Sequence, residues 1–186
     1  MKRWQVRIEL LTESSLEIER VWLLRSMPKI PAHAESWNIV QGYLSQPSPD
    51  ARLALDPDTV PQEGRIRAIE KKGGELIHTH TIKRGTGLVR EEFERSITRK
   101  AFLKAWEATR GRRITKTRWR VTEGSYVWEI DDLQRLGIVL AEVELQDPSD
   151  DPEIPKWLKP SILREVTREP EYRNAALAIQ AGNLED

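Results

Sequence analysis

The chain is 186 residues long, about one domain's worth and enough to bury a core. Its 30 Lys+Arg cancel its 30 Asp+Glu, which argues against a generic nucleic-acid or membrane-surface binder, and the absence of cysteine excludes disulfides, thiolate metal sites and a Cys nucleophile. Charged residues make up 32% and apolar ones only 38%, yet there are seven tryptophans, too aromatic a composition for a disordered polyelectrolyte.

In chain order, Trp4, Val6, Ile8 and Leu10 alternate with polar residues, the period of a strand. Residues 12–15 read as a turn. Residues 16–24 alternate again, with Glu17 and Glu19 on one face and Leu16, Ile18, Trp22 and Leu24 on the other. Pro28 and Pro31 mark a loop, residues 39–44 a strand, and Pro47, Pro49, Pro57 and Pro61 a long loop over residues 46–62. Strands follow at 65–70, 75–83 and 89–97, the first two joined by Gly73-Gly74 in a tight hairpin. At Thr98 the period changes. Thr98 caps an expected helix over 99–110 with Phe102, Leu103 and Trp106 as its apolar stripe and Gly111 as its stop. Strands resume at 114–121, 125–130 and 139–145, and residues 147–155 form an acidic loop. A short helix near 162–166 and a longer one over 171–181, stopped by Gly182, complete the chain. About eight strands and three helices, mostly joined by short turns, predict an α+β protein built on an antiparallel sheet or barrel.

Several strands carry like charges two residues apart, hence on one face: Glu17/Glu19, Arg65/Arg67, Glu92/Glu94, Lys116/Arg118/Arg120, Glu129/Asp131 and Glu142/Glu144, with Lys83 and Arg90 nearby. A solvated face explains any one pair. The set is harder to explain that way, because soluble surfaces intersperse both signs. The opposite phase is apolar and needs burial. If the sheet closes with the charges inward, crowded like charges repel unless counter-ions join them. Carboxylates suit Mg²⁺ or Mn²⁺, and Arg and Lys in this number suit several phosphates.

The segments EIERVWLL (17–24), GYL (42–44), RIR (65–67), TIKRGTGLVREEFE (81–94), KTRWRV (116–121), WEID (128–131), LAEVEL (140–145) and REVTREPEYRNAALA (164–178) together resemble the CYTH domain of the triphosphate tunnel metalloenzymes. That family contains class IV adenylate cyclases, thiamine triphosphatases and bacterial inorganic triphosphatases. The resemblance implies a closed eight-stranded antiparallel tunnel over residues 16–182, with residues 1–15 as an extension that could add a strand. It implies metal-ligating Glu17, Glu19, Glu142 and Glu144, with Mg²⁺ or Mn²⁺ as cofactor. Arg65, Arg67, Lys83, Lys116, Arg118 and Arg164 match the phosphate-binding set. Glu129, Asp131 and Tyr43 match positions near the second metal, the attacking water and the proton transfer. Glu92 and Glu94 match acidic tunnel positions whose roles are not divided.

One position departs from the family. Its hallmark Glu-x-Glu-x-Lys ends here in Val21, and Arg20 points to the other face. The resemblance therefore implies metal and phosphate binding with slow turnover. The expected activity is metal-dependent hydrolysis of inorganic triphosphate or a similar organic triphosphate. A catalytically impaired polyphosphate- or nucleotide-binding module and a class IV-type adenylate cyclase are the alternatives. The expected partner is a small-molecule triphosphate, with no nucleic acid and no membrane; a homodimer is left open. No apolar run approaches the ~20 residues of a membrane helix, and residues 1–11 lack a signal peptide's apolar core, so the expected compartment is the cytoplasm. His78 and His80 have a phase opposite to Lys83 and are expected on an exposed outer face rather than on a metal. The tryptophans are expected to pack outside the barrel rather than to stack on bases.

Overall fold

The computed structural model describes residues 13–74, 76–84 and 89–184. The expected strand over residues 4–10 lies outside them. The elements are β1 (Glu13–Leu24), β2 (Glu35–Tyr43), β3 (Arg65–Lys71), β4 (Leu76–Arg84), β5 (Val89–Ser96), α1 (Arg99–Trp106), β6 (Arg113–Glu123), β7 (Tyr126–Leu133), β8 (Ile138–Glu144), β9 (Ile162–Glu165) and α2 (Asn174–Gly182).

Eight strands close on themselves in the order β1-β5-β4-β3-β2-β6-β7-β8, and β8 returns to β1. Every pairing is antiparallel. Closure removes the free edges that an open sheet would expose. β1 is long enough to serve two neighbours along one edge. Its first half pairs with β5, and residues Trp22 to Leu24 pair with β9.

The apolar phase faces outward and is covered. Ile18, Trp22 and Leu24 of β1, Trp128 and Ile130 of β7, and Ala141 and Val143 of β8 are buried under the segment that brings Leu158 and Trp157 back across the wall. Trp22 and Trp128 meet there with ring centroids 5.3 Å apart. Burying such aromatics contributes on the order of a few kcal/mol each. On the other side α1 lays Ala101, Phe102 and Ala105 over Ile66 of β3. α1 begins where Thr98 accepts from the Ala101 backbone N–H at 3.2 Å.

At one end the lumen phase itself turns apolar. Val21, Ile114, Leu133 and Leu140 pack with Val166 and with Leu177 and Ala178 of α2, so α2 closes that end. The opposite end lies at the β3–β4 and β6–β7 hairpins.

Five local expectations are corrected. Residues 13–15 are strand rather than turn, because they pair with Phe93, Glu92 and Glu94 of β5. β2 starts at Glu35, four residues early, since Glu35 to Asn38 find partners on β6. Residues 162–166 form β9 rather than a helix, because the backbone of β1 offers Glu165 and Arg164 ladder partners that outweigh local propensity. The helix over 99–110 is α1 followed by a 3-10 turn at Glu107–Thr109. In the C-terminal helix Gly182 is the last helical residue rather than the stop beyond it. A side chain on Gly182 would place its Cβ 2.3 Å from the Gly111 carbonyl oxygen, so this close approach requires glycine.

Candidate active site

The inward phase of the strands lines one cavity of about 1060 Å³. Glu17, Glu19, Arg65, Arg67, Lys83, Lys116, Arg118, Glu129, Glu142, Glu144, Tyr43 and Val21 all border it. Alternation delivers them: β1 contributes residues 17, 19 and 21, β3 residues 65 and 67, β6 residues 116, 118 and 120, and β8 residues 142 and 144. The wall divides into two sectors. Arg65, Arg67, Lys83 and Lys116 to Arg120 lie on β3, β4 and β6. The carboxylates lie on β7, β8, β1 and β5, where Arg90 is the interleaved cation.

Ion pairs tie the sectors together. Lys83 Nζ donates to Glu17 at 2.5 Å and lies 2.8 Å from Glu92. Arg90 contacts Glu19 and lies 3.2 Å from the second Glu17 oxygen. Arg67 donates to Glu94 at 2.5 Å. Asp131 is fully buried and accepts from Arg118 Nε and Nη2 at 2.6 Å and from Lys116 Nζ at 2.5 Å. Arg118 also reaches Glu142 at 2.7 Å and Glu129. These are short, charge-assisted contacts.

Electrostatics differ around the wall. Burial would raise the Glu92 carboxyl, but Arg65 and Lys83 outweigh it and bring the pKa down to about 2. Burial and the neighbouring Asp131 push Glu142 up to about 7 in spite of Arg118. Burial and Glu129, Glu92 and Glu19 also raise Glu144. Asp131 is held well below the carboxylate range because Arg118 and Lys116 overcome its burial. Burial pushes Tyr43 to about 12, so its phenol keeps its proton. Gln41 donates to that phenol oxygen at 2.8 Å, which leaves the Tyr43 O–H to act as a donor.

Oxygen donors dominate the acidic sector, and register places like charges face to face. Glu19 is directly opposite Glu144, and Glu129 directly opposite Glu142. Such pairs are destabilising unless a cation sits between them. Glu17 Oε2 is buried and accepts no well-aligned hydrogen bond, with Arg90 beside it at 3.2 Å. Among the described residues no three carboxylates or imidazoles are gathered as a ready-made metal site, since lysines and arginines hold them apart. The donor chemistry and the raised Glu142 and Glu144 nevertheless fit a hard divalent cation.

Two expected site residues lie elsewhere. Arg164 is not brought into the cavity: on exposed β9 it binds Glu169 and the Tyr172 hydroxyl. Asp131 lies behind Arg118 and Lys116 rather than on the cavity surface. His78 and His80 do face outward, but they are buried rather than exposed. His78 packs on Phe102 at 4.8 Å, and His80 Nε2 meets the Glu63 carbonyl at 2.8 Å. Residues not singled out as site residues also reach the cavity, among them Trp37, Lys71, Arg173 and Asn174. Asn174 accepts from Lys116 at 3.2 Å. A period-two signal marks Trp37 and Lys71. Nothing local marks Asn174, which arrives with α2.

No family model matches the chain. It is 31% identical over 169 residues to an inorganic triphosphatase of Nitrosomonas europaea, covering 88% of this chain and 97% of that one. A crystal structure described as an inorganic triphosphatase matches with a TM-score of 0.50 and 26% identity, over 88% of this chain and 94% of the other. Another, described as a hypothetical protein, matches with a TM-score of 0.51 and 27% identity, over 88% and 97%. Full-length similarity and a charged, closed eight-stranded barrel agree. The chain belongs to the inorganic triphosphatase family of CYTH-type tunnel proteins.

Proposed function

We infer that the protein hydrolyses inorganic triphosphate inside its tunnel. The observation that carries the reading is the facing of a basic and an acidic wall across one cavity inside the closed barrel, in a chain 31% identical to an inorganic triphosphatase. A linear polyanion lies along Arg65, Arg67, Lys83, Lys116 and Arg118, whose fixed charges stabilise the charge dispersed over the phosphoryl oxygens in the transition state. Glu17, Glu19, Glu142 and Glu144, with Glu129, would hold Mg²⁺ or Mn²⁺. Such a cation, when bound, supplies charge neutralisation and a water of lowered pKa. Tyr43 donates its retained proton to a phosphate oxygen. Asp131 orients Arg118 and Lys116 and touches no substrate. Arg164 does not itself line the cavity but holds Glu169 and Tyr172, which do, so any part it has in binding runs through them.

The unit that does this is read as residues 16–182, with 1–15 an extension whose last three residues lengthen β1. Among the described residues no helix is long and apolar enough to cross a membrane, and the proposed compartment is the cytoplasm. The test is phosphate release from inorganic triphosphate, ATP and thiamine triphosphate with Mg²⁺ or Mn²⁺, and again with chelator. Metal-dependent release, fastest with inorganic triphosphate, is expected. Tight binding without release from any of them would make the protein a binding module.

A further inference from the structure

α2 begins at Asn174, and its far end is fixed where Gly182 meets the Gly111 carbonyl. Asparagine at the start of a helix commonly caps it. Here the helix start has no side-chain cap, and the Asn174 amide borders the cavity instead. Its carbonyl accepts from Lys116 Nζ at 3.2 Å, and its NH2 donates to Glu142 Oε1 over a longer 3.5 Å. Lys116 can only donate, so the amide oxygen faces the lysine and the NH2 faces Glu142. One side chain from α2 therefore touches the basic wall and the acidic wall together. Each neighbour already has a stronger partner. Lys116, only 3% exposed, is held by Asp131 at 2.5 Å, and Glu142 Oε2 by Arg118 at 2.7 Å. Among the described residues no ion pair joins Lys116 to Glu142 directly.

We propose that Asn174 is a positioning residue that keeps Lys116 and Glu142 unpaired, so that the lysine stays turned to the phosphates and the carboxylate stays open to a cation. The proposal rests on the reading of the tunnel as a triphosphate site and adds a residue of α2 to its machinery. An ammonium and a carboxylate that are both desolvated gain most by meeting each other. Their meeting would cancel one phosphate-holding charge and one cation-holding charge at once. A neutral amide between them satisfies a donor of one and an acceptor of the other and neutralises neither. With Asp131 and Asn174 on it, the Lys116 ammonium keeps one proton for a phosphate oxygen. The contact to Glu142 is long, so it yields when a cation takes that oxygen.

The first test is a substitution on which helix capping and bridging disagree. Asn174→Asp puts a negative charge in the first turn of α2, where the helix dipole favours it. A helix-starting role alone predicts unchanged kinetics. The bridge predicts a KM for inorganic triphosphate raised about tenfold, with kcat changed less than about threefold, because a second carboxylate then holds Lys116 back from the phosphates. The second test needs no turnover. Asn174→Leu removes both bonds and lets Lys116 reach Glu142. Mn²⁺ titrated calorimetrically into the substrate-free full chain should then bind about tenfold more weakly, the scale of one hydrogen bond to a charged group. In a Lys116→Met background the same substitution should cost less than about twofold, since no ammonium remains to occupy Glu142. An unchanged KM in Asn174→Asp would overturn the proposal, and so would equal Mn²⁺ losses with and without Lys116. A wild type that binds Mn²⁺ but releases no phosphate would sink the hydrolytic reading instead, and the Mn²⁺ cycle would still decide the role of Asn174.

Discussion

Glu92 on β5 and Glu142 on β8 face the same lumen, yet their carboxyls sit on opposite sides of the ordinary value, at about 2 and about 7. Both are buried. The difference lies in their neighbours. Glu92 has Lys83 at 2.8 Å and Arg65 at 3.4 Å, cations that outweigh its desolvation. Glu142 shares Arg118 with Asp131 and Glu129 and stands opposite Glu129 in register. The β5 wall is electrostatically complete; the β7–β8–β1 wall is short of positive charge. A tunnel that must take up dications and a polyanion needs such an imbalance, and one wall keeps its shape while the other waits for a ligand.

The sharpest way to break this comparison is at Asp131, the one carboxylate of the β7–β8–β1 wall whose cations fully compensate it. Asp131→Asn would leave Arg118 and Lys116 buried with a lost counter-charge. Breaking such a pair costs about 3–5 kcal/mol, to be read as a lowered midpoint in denaturant. A loss below about 1 kcal/mol would show that Asp131 does not organise the basic wall.

Next come the carboxylates of the deficient wall. Glu142→Gln and Glu144→Gln should each weaken divalent-cation binding more than about 100-fold, beyond what outer-shell changes do, as measured by Mn²⁺ titration. Their stability should move the other way. The folded-state pKa of Glu142 is raised, so the stability it contributes is full below 4.5 and lost as pH rises through about 7. Metal-free Glu142→Gln should therefore be at least as stable as wild type at pH 8. Unaltered metal affinity in both variants would remove these residues from the metal site.

Glu92 has the opposite sign. Its depressed pKa gives stability that is present above 4.5 and lost as pH falls toward about 2, on the order of 2 kcal/mol for a group partly open to solvent. Acid unfolding of wild type and Glu92→Gln should converge only near pH 2 and separate fully above pH 5. Parallel curves would deny Glu92 its pairing with Arg65 and Lys83.

Much of this wall is legible in the sequence, for a physical reason. Alternation fixes which side of a strand a residue occupies, so Glu17/Glu19, Arg65/Arg67 and Lys116/Arg118 could be placed on one face before the barrel was seen. Which charges neutralise which is set by strand neighbours far apart in sequence, as when Asp131 lies opposite Arg118. Residues 162–166 and Arg164 misled because a four-residue strand takes its conformation from β1 rather than from its own pattern. Trp37 followed the same alternation as the outer tryptophans but in the inward phase, and only barrel closure distinguishes the two sides.

Val21 gives the smallest and most specific test. It borders the cavity directly opposite Glu142, and its side chain packs with Ile114, Leu140 and Leu177 beneath α2. A lysine there would lose some of that packing and gain Glu142 as a partner, in a wall that lacks positive charge. Its ammonium would point into the lumen on the Tyr43 side of the tunnel. General acid help is typically worth ~10²–10⁴ in rate. An amine held by a carboxylate among apolar neighbours should deliver less, about tenfold in kcat for inorganic triphosphate, with KM changed little. Steady-state kinetics of wild type and Val21→Lys would read the split between the two constants. A fast wild type slowed by the lysine would mean that valine, with the apolar floor beneath α2, belongs to a site shaped for a different triphosphate.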